Sequence, residues 1–250
     1  MFPIRDHNPS GRTPYVTYAL IVVNVVVFLA TLGIEQNSRA LMQFYFDWAI
    51  IPARVEAGEG FYTLITSMFL HAGFMHIAGN MLFLWIFGDN LEDIMGHVGF
   101  LIFYLLAGTG AGLVHVMMSP ASLVPTVGAS GAIAAVMGGY LLLFPKAKID
   151  ILVIFIIFFK IFTIPAWIML AIWFAIQFFG GLAADPDAGG VAYWAHAGGF
   201  VLGAILALPV FLRRGGPAFW NRTHGLPPHP AAHYDPSRIP TVRRSVRRRR

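Results

Sequence analysis

Residues 126–139 read TVGASGAIAAVMGG. One serine stands between small residues at the head of a run that carries no charge. From Ser130 to Phe144 the chain offers only small, apolar and aromatic side chains apart from Ser130 itself, before Pro145 and Lys146 end the run. In a water-soluble hydrolase, Gly128-Ala129-Ser130-Gly131 would suggest a nucleophile turn. The G-x-S-x-G elbow fails, however, because Ala132 stands at its last glycine. Ser130 is either a nucleophile inside a bilayer, a helix cap, or a small residue where two helices touch.

Composition decides between water and membrane. The chain has 250 residues, 57% hydrophobic and 12% charged, with a mean hydropathy of +0.68. Soluble domains average about 25% charged residues, so this is an integral membrane protein. Cysteine is absent, which excludes disulfides, thiolate metal sites and cysteine nucleophiles. The net charge of +5 is concentrated: residues 213–250 carry ten arginines and one acid, Asp235. A cleavable signal peptide is not expected, because the run from Val16 to Leu32 is long enough to span and further spans follow.

Hydropathy places six spanning helices near 15–34, 72–94, 98–118, 130–144, 164–182 and 194–212. The fold expected is an all-α polytopic membrane protein, a six-transmembrane-helix bundle with a large outer loop between helices 1 and 2. That loop, 35–71, is rich in aromatic residues suited to a membrane interface. Arg5, Arg12, Lys146, Lys148, Arg213 and Arg214 then share one side, the cytoplasm. The loop at 183–193 lies on the other side with Asp185 and Asp187 and no base. Three segments follow: a cytoplasmic N-terminal segment 1–14, a membrane domain 15–212, and an Arg-rich, disordered cytoplasmic tail 213–250. Residues 149–182 are too long for one span of ~20 residues. IDILVIFIIFFKIF, rich in β-branched and aromatic side chains, is expected as an extended piece on the cytoplasmic side, with Pro165 near the start of the fifth helix.

Polar residues inside a bilayer are costly and each raises a functional question. The candidates are Ser130, His196, His76, Asn80, His115 and Asn24. Counting from the cytoplasmic ends at ~1.5 Å per residue puts Ser130 about 22 Å and His196 about 25 Å up their helices. The two meet at one depth. His76 and Asn80, four apart, share a face of the second helix at a similar level. A serine needs a base, and neutral imidazole is the usual one. An oxyanion needs donors, which His76, Asn80 and the Ser130 backbone N–H supply. No acidic residue lies at matching depth near His196, so a dyad is expected rather than a triad. The rival readings are helix packing for Ser130, an inter-helix hydrogen bond for His196 and for Asn24, and a structural role for His115. His71 and His76 lack i,i+3 or i,i+4 spacing, so no metal or other cofactor is expected. Gly199 and Gly203 form GxxxG, and Gly131, Gly138 and Gly139 make a facing small surface. Close packing would carry Ser130 to His196.

Four blocks, TSMFLHAGFMHIAGNMLFLWIFGDNLED, FYLLAGTGAG, PTVGASGAIAAVMGGY and AHAGGFVLG, resemble the rhomboid family of intramembrane serine proteases in order and spacing, over roughly residues 15–212. The resemblance implies Ser130 as nucleophile, His196 as general base, and His76 and Asn80 as oxyanion-hole donors beside Ser130. It implies that Gly199 and Gly203 help pack the fourth and sixth helices and that Glu92 stabilises the core; Gly128 and Gly131 are expected to pack near the site with them. It implies cleavage of transmembrane segments of other membrane proteins. Two departures stand out. Tyr62 and Thr63 replace the Trp-Arg pair of many relatives. Ala134 replaces an aromatic residue that stacks on the catalytic histidine, so His196 must be held otherwise.

A non-enzymatic rhomboid-like chaperone or a small transporter is the rival function class. No internal repeat supports a transporter. The tail ending RRSVRRRR is expected to reinforce topology and attract anionic lipid headgroups. Nucleic acid is not an expected partner. The expected location is the bacterial inner (plasma) membrane, with both termini cytoplasmic.

Overall fold

The computed structural model describes residues 2–8, 10–155, 158–185 and 189–229. Asp187 and most of the Arg-rich tail, 230–250, lie outside the described residues. Strand β1 (Phe2–Asp6) is followed by helix α1 (Tyr15–Thr31), then by the short helices α2 (Ser38–Trp48), α3 (Pro52–Glu56) and α4 (Thr63–Thr66). Helices α5 (Phe74–Met95), α6 (His97–Met118) and α7 (Ser130–Leu143) come next. Strands β2 (Lys148–Phe155) and β3 (Phe158–Pro165) precede α8 (Ala166–Ala183), α9 (Tyr193–Arg213) and α10 (Pro217–Thr223).

A helix stands at each of the six expected places, but not all six are long enough to count as spans. Four segments are long and apolar enough to cross a membrane: Tyr15–Gln36, His97–Met118, Ala166–Ala183 and Tyr193–Arg213. A fifth is a pair, Thr63–Phe69 with Phe74–Met95, bent by 96°. Ser130–Leu143 is apolar but shorter. The protein is therefore a mostly helical, polytopic membrane protein. Its outward faces carry exposed Val22, Val26 and Leu29 on α1, and Ile172, Ile176 and Phe179 on α8. In water such patches would drive association; in a bilayer they face lipid.

The centre is α7. Gly131 to Tyr140 is buried throughout, with α5, α6, α8 and α9 packed around it. A helix that is apolar on every face is stable only inside other protein or lipid. Glycine makes the approach of α9 close. A methyl at Gly199 would collide with the carbonyl oxygen of Gly131, and one at Gly203 with that of Ala135. A methyl on Gly138 of α7 would strike the carbonyl of Phe200. Below this contact Tyr140, Phe87, Phe100 and Phe144 fill the core.

To the helices the structure adds a three-stranded antiparallel sheet, in the order β1-β2-β3. The piece expected as extended at 149–163 is its hairpin, and β3 runs through Pro165 directly into α8. Asp150 ties the sheet together, accepting from Arg5 Nε (2.7 Å) and Thr163 Oγ1 (2.6 Å), with His7 Nε2 2.8 Å away. Burial alone would raise this carboxyl, but the hydrogen bonds from Thr163, His7 and Arg5 outweigh it and hold it below the ordinary range.

The segment after residue 213 differs from the expected tail without structure. Its first part forms α10, which buries Phe219 and donates from Trp220 Nε1 to the carbonyl of Leu142 at 3.0 Å. Asn24 also differs: its amide donates to Leu20 O of its own helix at 2.8 Å, not to a neighbouring helix. Glu92 accepts the N–H groups of Val16 (2.8 Å) and Thr17 (2.7 Å) and the Thr17 hydroxyl (2.7 Å). That carboxylate thereby satisfies the open N-terminus of α1.

Candidate functional site

Ser130 is the first residue of α7, with Ala129 in the capping position and no side-chain capping bond. The serine is therefore not spent as an N-cap. Its hydroxyl lies 2.7 Å from His196 Nε2, on the first turn of α9. The backbone that leads to it is irregular, so its polar groups need partners from elsewhere in the protein. Protein partners satisfy it. Thr126 exchanges two backbone hydrogen bonds with Ile50 (2.7 and 3.1 Å), and Gly128 donates to the carbonyl of Ser67 at 2.9 Å. His115, for which a structural role is the rival reading, faces the Thr126 hydroxyl at 2.9 Å and anchors this segment.

Gly128 has φ +130°, a backbone conformation that favours glycine, and it also leaves the space the site needs. A methyl there would sit 2.7 Å from His76 Nε2 and 3.4 Å from Ser130 Oγ. His76 Nδ1 accepts the backbone N–H of Ala72 at 3.3 Å. The proton of the neutral ring is then on Nε2, the nitrogen that faces Gly128 and Ser130. Asn80, one turn further along α5, is buried, and its Nδ2 has no partner among the described residues. A buried amide donor without an acceptor costs about 1–3 kcal/mol.

These groups share one cavity of about 700 Å³, lined among others by Tyr45, His76, Asn80, Ser130, Trp173 and His196. Tyr45 belongs to α2. Burial, with the Glu35 carboxylate adding to it, pushes its phenol above the ordinary value, so it remains a neutral hydrogen-bonding group. Two contacts of His196 went unforeseen. Its Nδ1 lies 2.8 Å from Gln177 Oε1 on α8. The Trp173 ring, one turn earlier on α8, lies 5.9 Å from the imidazole centroid at 30°. The signal for the first was present: apart from its tryptophans, α8 carries a single polar side chain, Gln177. Weighing only acidic partners for His196 passes over an amide.

Of the residues singled out from sequence, Ser130, His196, His76 and Asn80 line this cavity; Gly199 and Gly203 lie on the α7–α9 contact outside it, and Gly128, expected at helix packing, sits before α7 against His76 instead. Gly131 also packs tightly here: a methyl on it would lie 2.8 Å from the methyl of Ala111. Among the described residues, no group of three or more His, Cys, Asp or Glu side chains is placed to hold a metal.

A family model described as the Rhomboid domain matches residues 58–213, from just after α3 to the end of α9. The chain belongs to the rhomboid family. Relatives support this. Rhomboid protein 1, mitochondrial, of Saccharomyces cerevisiae is 30% identical over 198 residues, 75% of this chain and 51% of that protein. Rhomboid protease GluP of Bacillus subtilis is 34% identical over 130 residues, 51% of this chain and 24% of its own. RHOMBOID-like protein 1 of Arabidopsis thaliana is 30% identical over 235 residues, 84% of this chain and 56% of its own. This rhomboid thus spans about half the length, or less, of the relatives it matches. They are named for mitochondria as well as found in a bacterium, so the likeness carries a membrane location and not a bacterial one.

Proposed function

We propose that this rhomboid is an intramembrane serine endopeptidase that cleaves transmembrane segments of other membrane proteins by a Ser130–His196 dyad. The observation that carries the reading is the 2.7 Å separation of Ser130 Oγ and His196 Nε2, inside a bundle whose outer face is apolar. A serine hydroxyl becomes a nucleophile when a base takes its proton at hydrogen-bond distance.

Ser130 Oγ attacks the carbonyl carbon of the scissile peptide bond as its proton passes to His196 Nε2. The carbonyl oxygen becomes an oxyanion. Three donors serve it: the Asn80 amide, His76 Nε2–H and the Ser130 backbone N–H at the start of α7. The unpaired Asn80 donor and the orientation of His76 support these roles. Imidazolium then protonates the leaving nitrogen as the C–N bond breaks, leaving an acyl-enzyme. Water, deprotonated by His196, hydrolyses that ester and returns the proton to Ser130. The cavity, which holds Ser130 and His196 together, is the route by which water reaches a serine set below the membrane surface.

In this reading α1 and α5–α9 all cross the bilayer, the short helices α2–α4 form the outer segment, and both termini are cytoplasmic. Residues 1–14 and the basic tail flank the membrane domain, and the tail meets anionic lipid headgroups. No nucleic-acid partner and no cofactor enter the proposal.

A fluorophosphonate probe tests the mechanism on the full chain in detergent. Labelling is expected for the wild type and absent in Ser130→Ala, with cleavage of a transmembrane reporter lost in parallel. Cleavage that survives Ser130→Ala would sink it, and a folded wild type that neither labels nor cleaves would mark an inactive relative.

A further inference from the structure

His196 has its aromatic neighbour on α8 rather than on α7, where Ala134 leaves no ring to stack on it. Its Nδ1 also looks to α8. For Ser130 to donate its proton to Nε2, that nitrogen must be bare, so the ring proton must sit on Nδ1 and find an acceptor. Gln177 Oε1, at 2.8 Å, is that acceptor. Gln177 is 7% exposed in a helix otherwise apolar, and a buried amide in a span persists only with a partner.

We infer that Gln177 is a positioning residue that fixes the tautomer and plane of His196, taking the place of a triad carboxylate with a neutral amide. This rests on the proposed dyad. Physically, a carboxylate here would bury a charge in the resting enzyme at large desolvation cost. An amide oxygen orients the ring without that cost and stabilises the imidazolium less. Trp173, on the same face of α8, limits tilting of the ring. The alignment of His196 therefore depends on α8 lying against α9. Any displacement of α8 removes both restraints together.

The titratable groups that share the cavity with His196 are Tyr45, His76, His115, Asp185 and Tyr193. All remain in variants of Gln177, so a shift in the pH profile reports the exchanged side chain. The experiment measures the rate of fluorophosphonate labelling and of reporter cleavage from pH 5 to 9, on the full chain in detergent. The variants are Gln177→Leu, similar in size and suited to lipid, and Gln177→Glu. Gln177→Leu is expected to slow acylation about 10- to 100-fold, with KM for the reporter little changed. Gln177→Glu is expected to recover most of that loss. It should also move the acidic limb up by about one pH unit, because a carboxylate favours the imidazolium that cannot act as base. Wild-type rates and limb in Gln177→Leu would overturn the inference. So would equal loss in both variants with an unmoved limb, the signature of a structural role alone. A wild type that fails to label refutes the dyad itself, and is thereby told apart from either.

Discussion

Gly203 of α9 lies so close to Ala135 of α7 that a methyl group on Gly203 would overlap the Ala135 carbonyl oxygen. The obstacle is backbone, which cannot swing aside as a side chain does. Gly203→Val is therefore expected to force the two helices apart, at a cost of about 1–3 kcal/mol or more. Thermal unfolding in detergent should show the loss. Because α7 and α9 carry Ser130 and His196, fluorophosphonate labelling should fall even in the fraction that remains folded.

The unpaired Asn80 donor makes a kinetic prediction. Under the proposed mechanism its amide gains its acceptor when the oxyanion forms. Asn80→Ala should lower kcat about 100-fold or more and leave KM nearly unchanged, measured on a reconstituted transmembrane reporter. A drop in affinity alone would assign Asn80 to substrate binding instead.

Gly128 should resist the smallest substitution. Its φ of +130° disfavours any side chain, and a new methyl would lie 2.7 Å from His76 Nε2. Gly128→Ala is expected to reduce cleavage at least about 10-fold through displacement of the donor ring. Thermal stability should fall by only about 1 kcal/mol, the usual penalty for strained backbone.

Glu92 is buried and satisfies two backbone donors and a hydroxyl of α1, with His97 Nδ1 2.5 Å away. Glu92→Ala strands those donors at a helix start. Stability should fall by roughly 3 kcal/mol. Glu92→Gln, which keeps one acceptor oxygen and replaces the other with an NH₂ donor, should fall between. Unfolding curves of the three proteins at one pH decide this.

Stability should also respond to pH through Asp6. Burial raises its carboxyl to about 6 against an ordinary 3.8, partly offset by hydrogen bonds from Asn8 and Tyr140, with Asp89 as its acidic neighbour. The folded protein then holds more protons than the unfolded chain between these values. Stability is greatest at the acidic end and falls as pH rises through about 6, by at most about 3 kcal/mol for this group. Asp6→Asn should remove that part of the slope between pH 4 and 7, read as the difference between wild-type and variant unfolding midpoints.

Much of this was legible from residue order. Long apolar runs announced the helices, because a bilayer punishes any unpaired backbone and leaves few alternatives. Counting residues along the two helices led to the expectation that Ser130 and His196 share a level, and their side chains lie 2.7 Å apart. Other features were not legible. Strand β1 pairs with β2 across more than 140 residues of chain, as Asp6 with Ile149, and local alternation names no partner. The tail's first turns read as polar and basic, yet α10 docks through Phe219, against the rings of Phe144 and Phe211, and through Trp220, which donates to the carbonyl of Leu142 at the end of α7.

Hydropathy and spacing alone established that the chain lives in a membrane, where its helices begin, and which residues could meet. Only the tertiary structure decided which atoms do meet. A helix as uniformly apolar as α7 has no polar face to set its rotation, and the small face of Gly131, Gly138 and Gly139 only suggests one; the atoms that meet are fixed by packing. The glycine contacts with α9 set the rotation and bring the hydroxyl to His196. The same packing turned Gln177 inward, so that the imidazole is held from α8, a helix in which sequence reading had looked for no polar partner.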